Sequence, residues 1–284
     1  MAITEYENST QRGQPVELYQ FIYGEGAGQH YAYTNADTEI THNAIVYTPT
    51  PTNRDKIKTK GRGESDEITI QVPLYAEIAE LFRVFPPGRI VTATVRQGHQ
   101  PNPDDPAEFL AGEQFPVVWV GRVLESRRNG ANADLTCDSS QAGMKRVGLR
   151  LHFQWSCPLA LYSTRCGADK DAARTTTTAT ASANQMTFAS GWNGAIDPIN
   201  YIGGLVEWDG PEGREYRTIY RIVDATTVVL NAVPRGFVDN DPIDVFLGCP
   251  HTVTGCRTLH NNAVNYGGHH LIPLANPVGK NNHT

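Results

Sequence analysis

Apolar and polar residues alternate with a period of two through much of the first half of the chain. In the stretch 67–72, Ile68, Ile70 and Val72 fall on one side and polar residues on the other, which is typical of a half-buried strand. Short apolar segments predict further strands at 16–23, 89–95, 117–124 and 135–137. The pattern therefore predicts a β-rich domain over residues 1–146.

One segment of the first half has helical spacing instead. Between Pro73 and Pro86, apolar residues recur at intervals of three and four positions, as at Leu74, Ile78 and Leu81. Proline is favoured in the first turn of a helix, as Pro73 would be, and it ends a helix when it follows one, as Pro86 would. We expect one short helix here, beginning at Pro73 and covering the sheet.

Two proline-rich segments predict loops. The stretch 99–109, HQPNPDDPAEF, has three prolines and predicts an exposed excursion between strands. The segment 47–67 carries five Lys or Arg residues between Arg54 and Arg62. It is either a solvated loop or a clamp that docks on a neighbouring subunit, and both interpretations stay open.

The second half begins with a new alternation over 147–157, which predicts a strand with Cys157 at its end on the apolar side. The next stretch, 168–185, is rich in Thr and Ala and predicts a linker or an edge. Residues 186–247 then alternate between turn signals, which predicts a small all-β module of about five strands. We therefore divide this half into a first cysteine-pair segment (147–175), an inserted module (176–247) and a second cysteine-pair segment with a C-terminal arm (248–284).

Composition limits the classes of partner. The 284 residues are 39% hydrophobic and 19% charged, which is enough to build packed cores, and exceed one typical domain of about 100–200 residues. The formal net charge of −6 argues against sequence recognition of nucleic acid, since binding of phosphates needs a basic surface. No run of 18 apolar residues occurs and the N-terminus is polar, so we expect no membrane span and no export signal.

Five cysteines form the main chemical signal. Cys137 alternates with Leu135 in a predicted strand and is interpreted as a small buried hydrophobe. The other four form two pairs, Cys157 with Cys166 and Cys249 with Cys256, on either side of the inserted module. Because the ends of a compact module lie close together, we expect the two pairs to meet at its base.

Thiolates are ligands for zinc, copper(I) and iron–sulfur clusters. Eight residues separate the first pair and six the second, which is wider than the two to four of most structural zinc sites and favours a [4Fe–4S] cluster over zinc. Buried unrelated thiols and disulfides remain alternatives. A mixed zinc site is a further one, and the histidines that could complete it are His251, His260, His269 and His270.

The sequence has no G-x-S-x-G elbow, H-E-x-x-H helix or phosphate-cradling G-x-x-x-x-G-K. We therefore expect a protein that is not an enzyme. Two alternatives stay open: a zinc-stapled structural binding module, and a cluster-containing electron-transfer or hydrolytic enzyme.

Two stretches resemble a known family. LHFQWSCPLALYSTRCGAD (151–169) is similar to the C-x-x-x-LY-x-x-x-CG signature of the tail-tip or hub proteins of tailed phages and gene transfer agents. GCPHTVTGCRTLHNNAVNYGGHHLIPLANP (248–277) resembles the ending of the same family. The specific motifs cover about 147–170 and 247–277, and the first half resembles the family only in its β pattern and its basic loop. Where many relatives have an aromatic residue after the last cysteine, this chain has Leu259 and His260.

The resemblance implies a mainly β structural virion protein with a β-barrel-like N-terminal hub domain, located at the tip of a long non-contractile tail and assembled in the host bacterial cytoplasm. Its implied partners are the distal tail ring protein and the central receptor-binding or fibre protein, and its implied state is a homotrimer. The family carries a [4Fe–4S] cluster, and the ligands carried over to this chain are Cys157, Cys166, Cys249 and Cys256, with Cys137 outside the set.

The stretch NYGGHHLIPLANP predicts a sharp turn followed by an extended arm. Gly267 and Gly268 are expected to adopt backbone conformations closed to other residues, and Pro273 and Pro277 to stiffen the arm. Such an arm suits docking on a partner.

Overall fold

A computed structural model describes residues 15–24, 29–57, 67–83, 86–99, 115–140, 142, 148, 152–211 and 213–273. The chain divides into two compact units, Met1–Arg146 and Val147–Thr284. Both units are built mainly from strands, as predicted. The loop 100–114, most of the basic stretch 58–66, and the arm beyond residue 273 lie outside the described residues.

The described strands of the first unit form one nine-stranded sheet. They are β1 (Pro15–Tyr23), β2 (Gln29–Thr34), β3 (Ile40–His42), β4 (Ile45–Pro49), β5 (Asn53–Arg54), β6 (Ile68–Pro73), β7 (Val91–His99), β8 (Val117–Asn129) and β9 (Asn132–Ser139). Their order is β3-β4-β2-β1-β7-β8-β9-β6-β5, and only the β2–β4 pair among them is parallel. The strands predicted from alternation correspond to β1, β6, β7, β8 and β9.

Alternate residues of these strands form the core of the first unit, as the period of two predicted. Ile68, Ile70 and Val72 of β6 are all buried, and Cys137 of β9 lies directly opposite Ile68. Cys137 is fully buried, which confirms its interpretation as a small core residue. Burial raises the pKa of its thiol to about 12.

The predicted helix is present but shorter than expected. Helix α1 spans Glu77–Leu81 and buries Ile78 and Leu81. The expectation that Pro73 begins the helix is wrong, because Pro73 is the last residue of β6 and lies opposite Asn132 of β9. Strand pairing with β9 therefore keeps the chain extended through Pro73, and three residues of turn precede the helix.

The second unit contains a closed six-stranded antiparallel barrel in the order β10-β11-β14-β13-β12-β15. Aromatic side chains fill its core, among them Phe188, Trp192, Tyr201 and Trp208. The strands are β10 (Arg174–Ser182), β11 (Gln185–Phe188), β12 (Leu205–Gly210), β13 (Gly213–Ile222), β14 (Thr227–Leu230) and β15 (Pro242–Phe246), with a 3₁₀ turn at Pro198–Tyr201.

The expectation of a linker or edge at 168–185 is wrong for most of that stretch. Arg174–Ser182 forms β10, which pairs with β11 on one side and with β15 on the other. Within β10 only Ala179 is buried, so the strand shows little apolar alternation. Threonine nevertheless favours strands because it is branched at Cβ.

The expectation of a strand ending at Cys157 is also wrong for the described part of 147–157. Residues 152–157 form no strand, and Phe153 and Trp155 are 83% and 45% exposed. The segment is instead held by hydrogen bonds to a distant stretch of the chain. His269 donates its backbone N–H to the carbonyl of Gln154 (2.8 Å), and the Trp155 indole donates to the carbonyl of His270 (3.1 Å).

Candidate thiol site

The four paired cysteines all lie in the second unit, just before and just after the barrel. Cys157 is in the irregular segment 152–157, and Cys166 is in the turn that precedes β10. Cys249 lies three residues beyond the end of β15, and Cys256 lies in helix α2 (Val253–His260). All are free thiols; Cys166 and Cys256 are buried, and the other two are partly exposed.

Helix α2 places Cys256, and its ends are defined by hydrogen bonds rather than by apolar periodicity. At its start the Thr252 hydroxyl accepts a hydrogen bond from the N–H of Gly255 (3.1 Å). At its end Asn261 adopts the left-handed conformation (φ 47°, ψ 35°), and the N–H of Asn262 donates to the carbonyl of Cys256 (3.0 Å). The left-handed residue ends the helix, and the bond from Asn262 turns the chain back towards Cys256.

His251 connects the first cysteine pair to the second. Its carbonyl accepts the backbone N–H of Cys157 (3.0 Å), and its ring Nδ1 lies 2.9 Å from the Cys157 carbonyl oxygen. Because a carbonyl can only accept, Nδ1 carries the proton and donates it. The N–H of His251 points at the sulfur of Cys249 (3.4 Å). Cys157 and Cys249 are therefore tied through one residue.

Asn262 connects the other two cysteines. Its side-chain Nδ2 donates to the carbonyl of Cys166 (2.6 Å), while its own carbonyl accepts from the thiol of Cys256 (3.1 Å). The two cysteine pairs therefore lie together at the base of the barrel, although 89 residues of sequence separate Cys166 from Cys256 and contain the whole barrel.

The four sulfurs also lie close enough for a charge on one of them to change the pKa of another. Burial raises the pKa of Cys249, and the neighbouring Cys157 and Cys166 raise it further. Burial likewise raises the pKa of Cys256, with added contributions from the other three thiols. Two thiolates repel each other, so each sulfur makes ionisation of the next more costly. A metal cation among them would remove that repulsion.

Three residues around the thiols adopt backbone conformations that are uncommon without glycine. Tyr162, His251 and Asn261 have φ angles of 60°, 57° and 47°. Each such residue costs on the order of 1–3 kcal/mol and persists only where its surroundings hold it. Tyr162 is held by a hydrogen bond from its hydroxyl to the carbonyl of Leu247 (2.6 Å). Strain of this kind clusters at functional sites.

The expected reason for Gly267 and Gly268 is wrong, since neither has a positive φ. They are required by close approach instead. A Cβ on Gly267 would lie 2.9 Å from the side chain of Leu159 and 3.5 Å from the sulfur of Cys157. A Cβ on Gly268 would lie 2.7 Å from the Trp155 carbonyl oxygen. These glycines let the C-terminal segment pack directly against the Cys157 segment.

The four histidines considered for a mixed zinc site do not form one among the described residues. His251 uses its Nδ1 for the Cys157 carbonyl, and His260 donates Nε2–H to the Gly248 carbonyl (2.9 Å). His269 packs its ring on Phe153, with ring centroids 4.7 Å apart, and His270 lies against Tyr266.

In the part of the chain that the structure describes, no three His, Cys, Asp or Glu side chains surround one point in the way that metal ligands do. The four cysteines still supply the donor type and the number of ligands that a thiophilic metal or cluster takes. Their thiols repel one another when ionised, and N–H groups face two of the sulfurs, those of Cys249 and Cys166. Sequence reasoning found the four cysteines and considered His251 only as a zinc ligand, and it missed Asn262 and Tyr162.

The fold and the site together define a class of mainly β protein. A unit built on one sheet is followed along the chain by a barrel, and the cysteines just before and just after that barrel lie together. Among the described residues, no helix has the length and apolar character needed to cross a bilayer.

Two family models match the chain. One, described as baseplate hub protein, N-terminal attachment domain, matches residues 20–169, and the other, described as phage conserved hypothetical protein BR0599, matches residues 200–276. The chain belongs to the phage baseplate hub family and is a structural protein of a tailed virion particle. The first match contains Cys157 and Cys166, and the second contains Cys249 and Cys256.

Two individual proteins are also similar to the chain. An uncharacterized protein of Xylella fastidiosa (strain 9a5c) is 28% identical over 178 residues, which are 58% of this chain and 34% of that protein. The chain thus matches about a third of that relative's length. A chain from the virion of a native gene transfer agent (GTA) particle superposes with a TM-score of 0.75 over 97% of this chain and 95% of its own, at 18% identity. That likeness shows a shared fold.

Proposed function

We propose that this chain is the tail-tip hub subunit of a long non-contractile tail and that it is not an enzyme. In this role it joins the distal tail ring protein to the central receptor-binding or fibre protein, as a homotrimer. The observation that carries the proposal is the meeting of two cysteine pairs at the base of the barrel, each pair lying within one of the two phage family matches.

We further propose that Cys157, Cys166, Cys249 and Cys256 hold a [4Fe–4S] cluster, with zinc as the alternative. When bound, such a group supplies thiolate–metal bonds that cross-link the two ends of the barrel. The chain's own residues position those thiolates: His251 ties Cys157 to Cys249, and Asn262 ties Cys166 to Cys256.

A cross-link suits this site because the segments around it have little core of their own. Phe153 and Trp155 are exposed, and the segment that carries them is held by hydrogen bonds to residues 266–270. Each such bond contributes only about 0.5–1.5 kcal/mol. Metal–thiolate bonds add a constraint that hydrogen bonds of this strength do not give, which favours a structural role for the bound group.

Metal content tests the cofactor. The full-length protein is produced with excess iron, purified without oxygen, and analysed for iron, acid-labile sulfide and zinc per chain. About four irons and four sulfides per chain, with the visible absorption of an iron–sulfur cluster, are expected. Stoichiometric zinc without iron would favour the zinc-stapled alternative. A protein that contains neither metal would contradict a metal cross-link at this site.

A separate measurement tests the place in the particle. Light scattering of the purified protein should give the mass of a trimer, and imaging of intact particles should place the chain between the distal ring and the central fibre. A chain located elsewhere in the tail would contradict the hub role whatever metal it holds. A reversible redox partner or turnover of a substrate would favour the electron-transfer or hydrolytic alternative.

A further inference from the structure

Asn262 contacts both cysteine segments at once, unlike an ordinary surface asparagine. It is 92% buried and lies directly after the left-handed residue that ends α2. Its backbone N–H donates to the carbonyl of Cys256, and its carbonyl accepts from the Cys256 thiol. Its backbone is thus fixed to Cys256 on both sides.

The side chain of Asn262 reaches the opposite cysteine segment. Nδ2 donates to the carbonyl of Cys166 at 2.6 Å and lies 4.0 Å from the Cys166 sulfur. Oδ1 accepts from Nδ2 of Asn265 at 2.7 Å, which fixes the orientation of the amide. Since the Cys166 carbonyl can only accept, the nitrogen must face Cys166.

Resting on the function proposed above, we propose that Asn262 is the positioning residue of the thiol centre. It sets the spacing between Cys166 and Cys256 and presents an amide N–H to the Cys166 sulfur. Hydrogen bonds to cluster sulfurs stabilise the more negative, reduced state and so raise the reduction potential. The Cys256 thiol bond to the Asn262 carbonyl belongs to the protonated thiol alone, because a coordinated thiolate has no proton to donate.

The test uses Asn262→Asp, which keeps the shape of the side chain but replaces the N–H donor by an oxygen facing the Cys166 carbonyl. The matched control is Asn193→Asp. Asn193 also donates Nδ2 to a backbone carbonyl, that of Ile196 (2.5 Å), but it lies in the connection between β11 and β12 of the barrel. Both variants are prepared as full chains and reconstituted without oxygen with ferrous iron and sulfide.

We expect Asn262→Asp to lose iron to a chelator about 10–100 times faster than the wild-type chain, as is typical when a residue that orients a ligand is changed. Its midpoint potential should also be lower, because the variant loses the N–H donor beside the Cys166 sulfur and gains a negative carboxylate there. Asn262→Ala, which loses the donor without gaining a charge, should show the part of this fall that the donor causes. Asn193→Asp should match the wild type in both measurements. Equal loss rates and potentials in Asn262→Asp and the wild type would overturn the proposal.

A metal-independent readout separates this inference from the proposed function. In metal-free protein, alkylation of Cys166 and Cys256 by iodoacetamide, followed by mass spectrometry, should be faster in Asn262→Ala, which removes the amide without adding a charge that would hinder thiolate formation, than in the wild type and in Asn193→Ala. If the wild type binds no metal but this selective increase in alkylation is seen, the positioning role of Asn262 stands and the proposed cofactor is contradicted. If alkylation is unchanged, the positioning role fails even where the wild type binds a cluster.

Discussion

Gly248→Ala should release the second cysteine segment from the barrel. Gly248 immediately precedes Cys249, and its N–H donates to the carbonyl of Asn200 (2.8 Å). A Cβ at this position would overlap the carbonyl oxygen of Ile202 and lie 2.7 Å from its carbonyl carbon and 3.0 Å from the nitrogen of Gly204. These are all backbone atoms, so no flexible side chain can move away to make room.

The magnitude follows from two losses. Forcing a methyl group into a packed position costs about 1–3 kcal/mol, and leaving a buried backbone group without its hydrogen bond costs about 1–3 kcal/mol. Together they predict a loss of about 2–5 kcal/mol, a large share of the roughly 5–15 kcal/mol that stabilises a typical domain. The bond from His260 to the Gly248 carbonyl should weaken as well, since the carbonyl moves with the chain.

Urea unfolding, followed by the fluorescence of the buried Trp192 and Trp208, measures this loss in the second unit. Gly148→Ala is the matched control, because a Cβ there meets no atom within 4 Å and its φ is not positive. Iron content is measured on the same preparations and should fall in Gly248→Ala alone. Equal urea midpoints for the two variants would refute the close-approach reasoning, since the barrel would then tolerate a methyl group where the structure leaves no space.

Three further outcomes are expected. Cys249→Ser should lower the iron content and impair tail assembly, whereas Cys137→Ser, in the core of the other unit, should leave iron unchanged; equal iron contents would remove Cys249 from the ligand set. The folded state holds the Cys137 proton up to a pKa of about 12, against an ordinary 9.0, so the wild-type chain binds more protons folded than unfolded and loses stability as pH rises across that window. Cys137→Val should remove that loss, which approaches about 1.4 kcal/mol per pH unit only well above the ordinary pKa of 9.0 and below about 12; urea unfolding over that pH range measures it, and identical slopes for both proteins would contradict the assigned burial effect. Finally, removing the metal with a chelator should speed chymotrypsin cleavage at Phe153 and Trp155, detected by mass spectrometry, because hydrogen bonds alone then hold that segment; unchanged cleavage would mean that the centre does not restrain it.

Sequence alternation predicted strands well where one strand face packs on a core. In β6 and β9 alternate residues are almost fully buried, so the pattern in the sequence and the pattern in space coincide. In β10 both neighbours are strands but only Ala179 is buried, so pairing forms a strand that leaves little apolar signature. In the described residues 152–157 an apolar alternation exists without pairing, and its aromatic side chains stay exposed. Alternation therefore predicts a strand only where one strand face packs on a core, and at 152–157 it corresponds to neither burial nor pairing.

The candidate site was predictable in its donors but not in its framework. Cysteine is rare in this chain, so four residues flanking one module stood out, and the structure places those four together. His251 and Asn262 act through hydrogen bonds to residues more than 90 positions away, and their positions depend on left-handed backbone at His251 and Asn261. No periodicity encodes such contacts. The one available signal was the pair Asn261–Asn262 after a short helix, since asparagine tolerates the left-handed conformation that ends helices.

The same contacts explain why a small inorganic centre suits this position better than a larger core. Tyr162 and His251 hold left-handed backbone at a cost of about 1–3 kcal/mol each, within segments that bury few apolar side chains. A core large enough to offset that strain would need more chain on both sides of the barrel. Under the proposed function, four thiolate–metal bonds would reach the same end with residues already present, because they would constrain both ends of a closed barrel at a single point. Under the proposed function, a pull on the C-terminal segment would then act on metal–sulfur bonds and on the barrel behind them, rather than on the hydrogen bonds of Gln154 and Trp155.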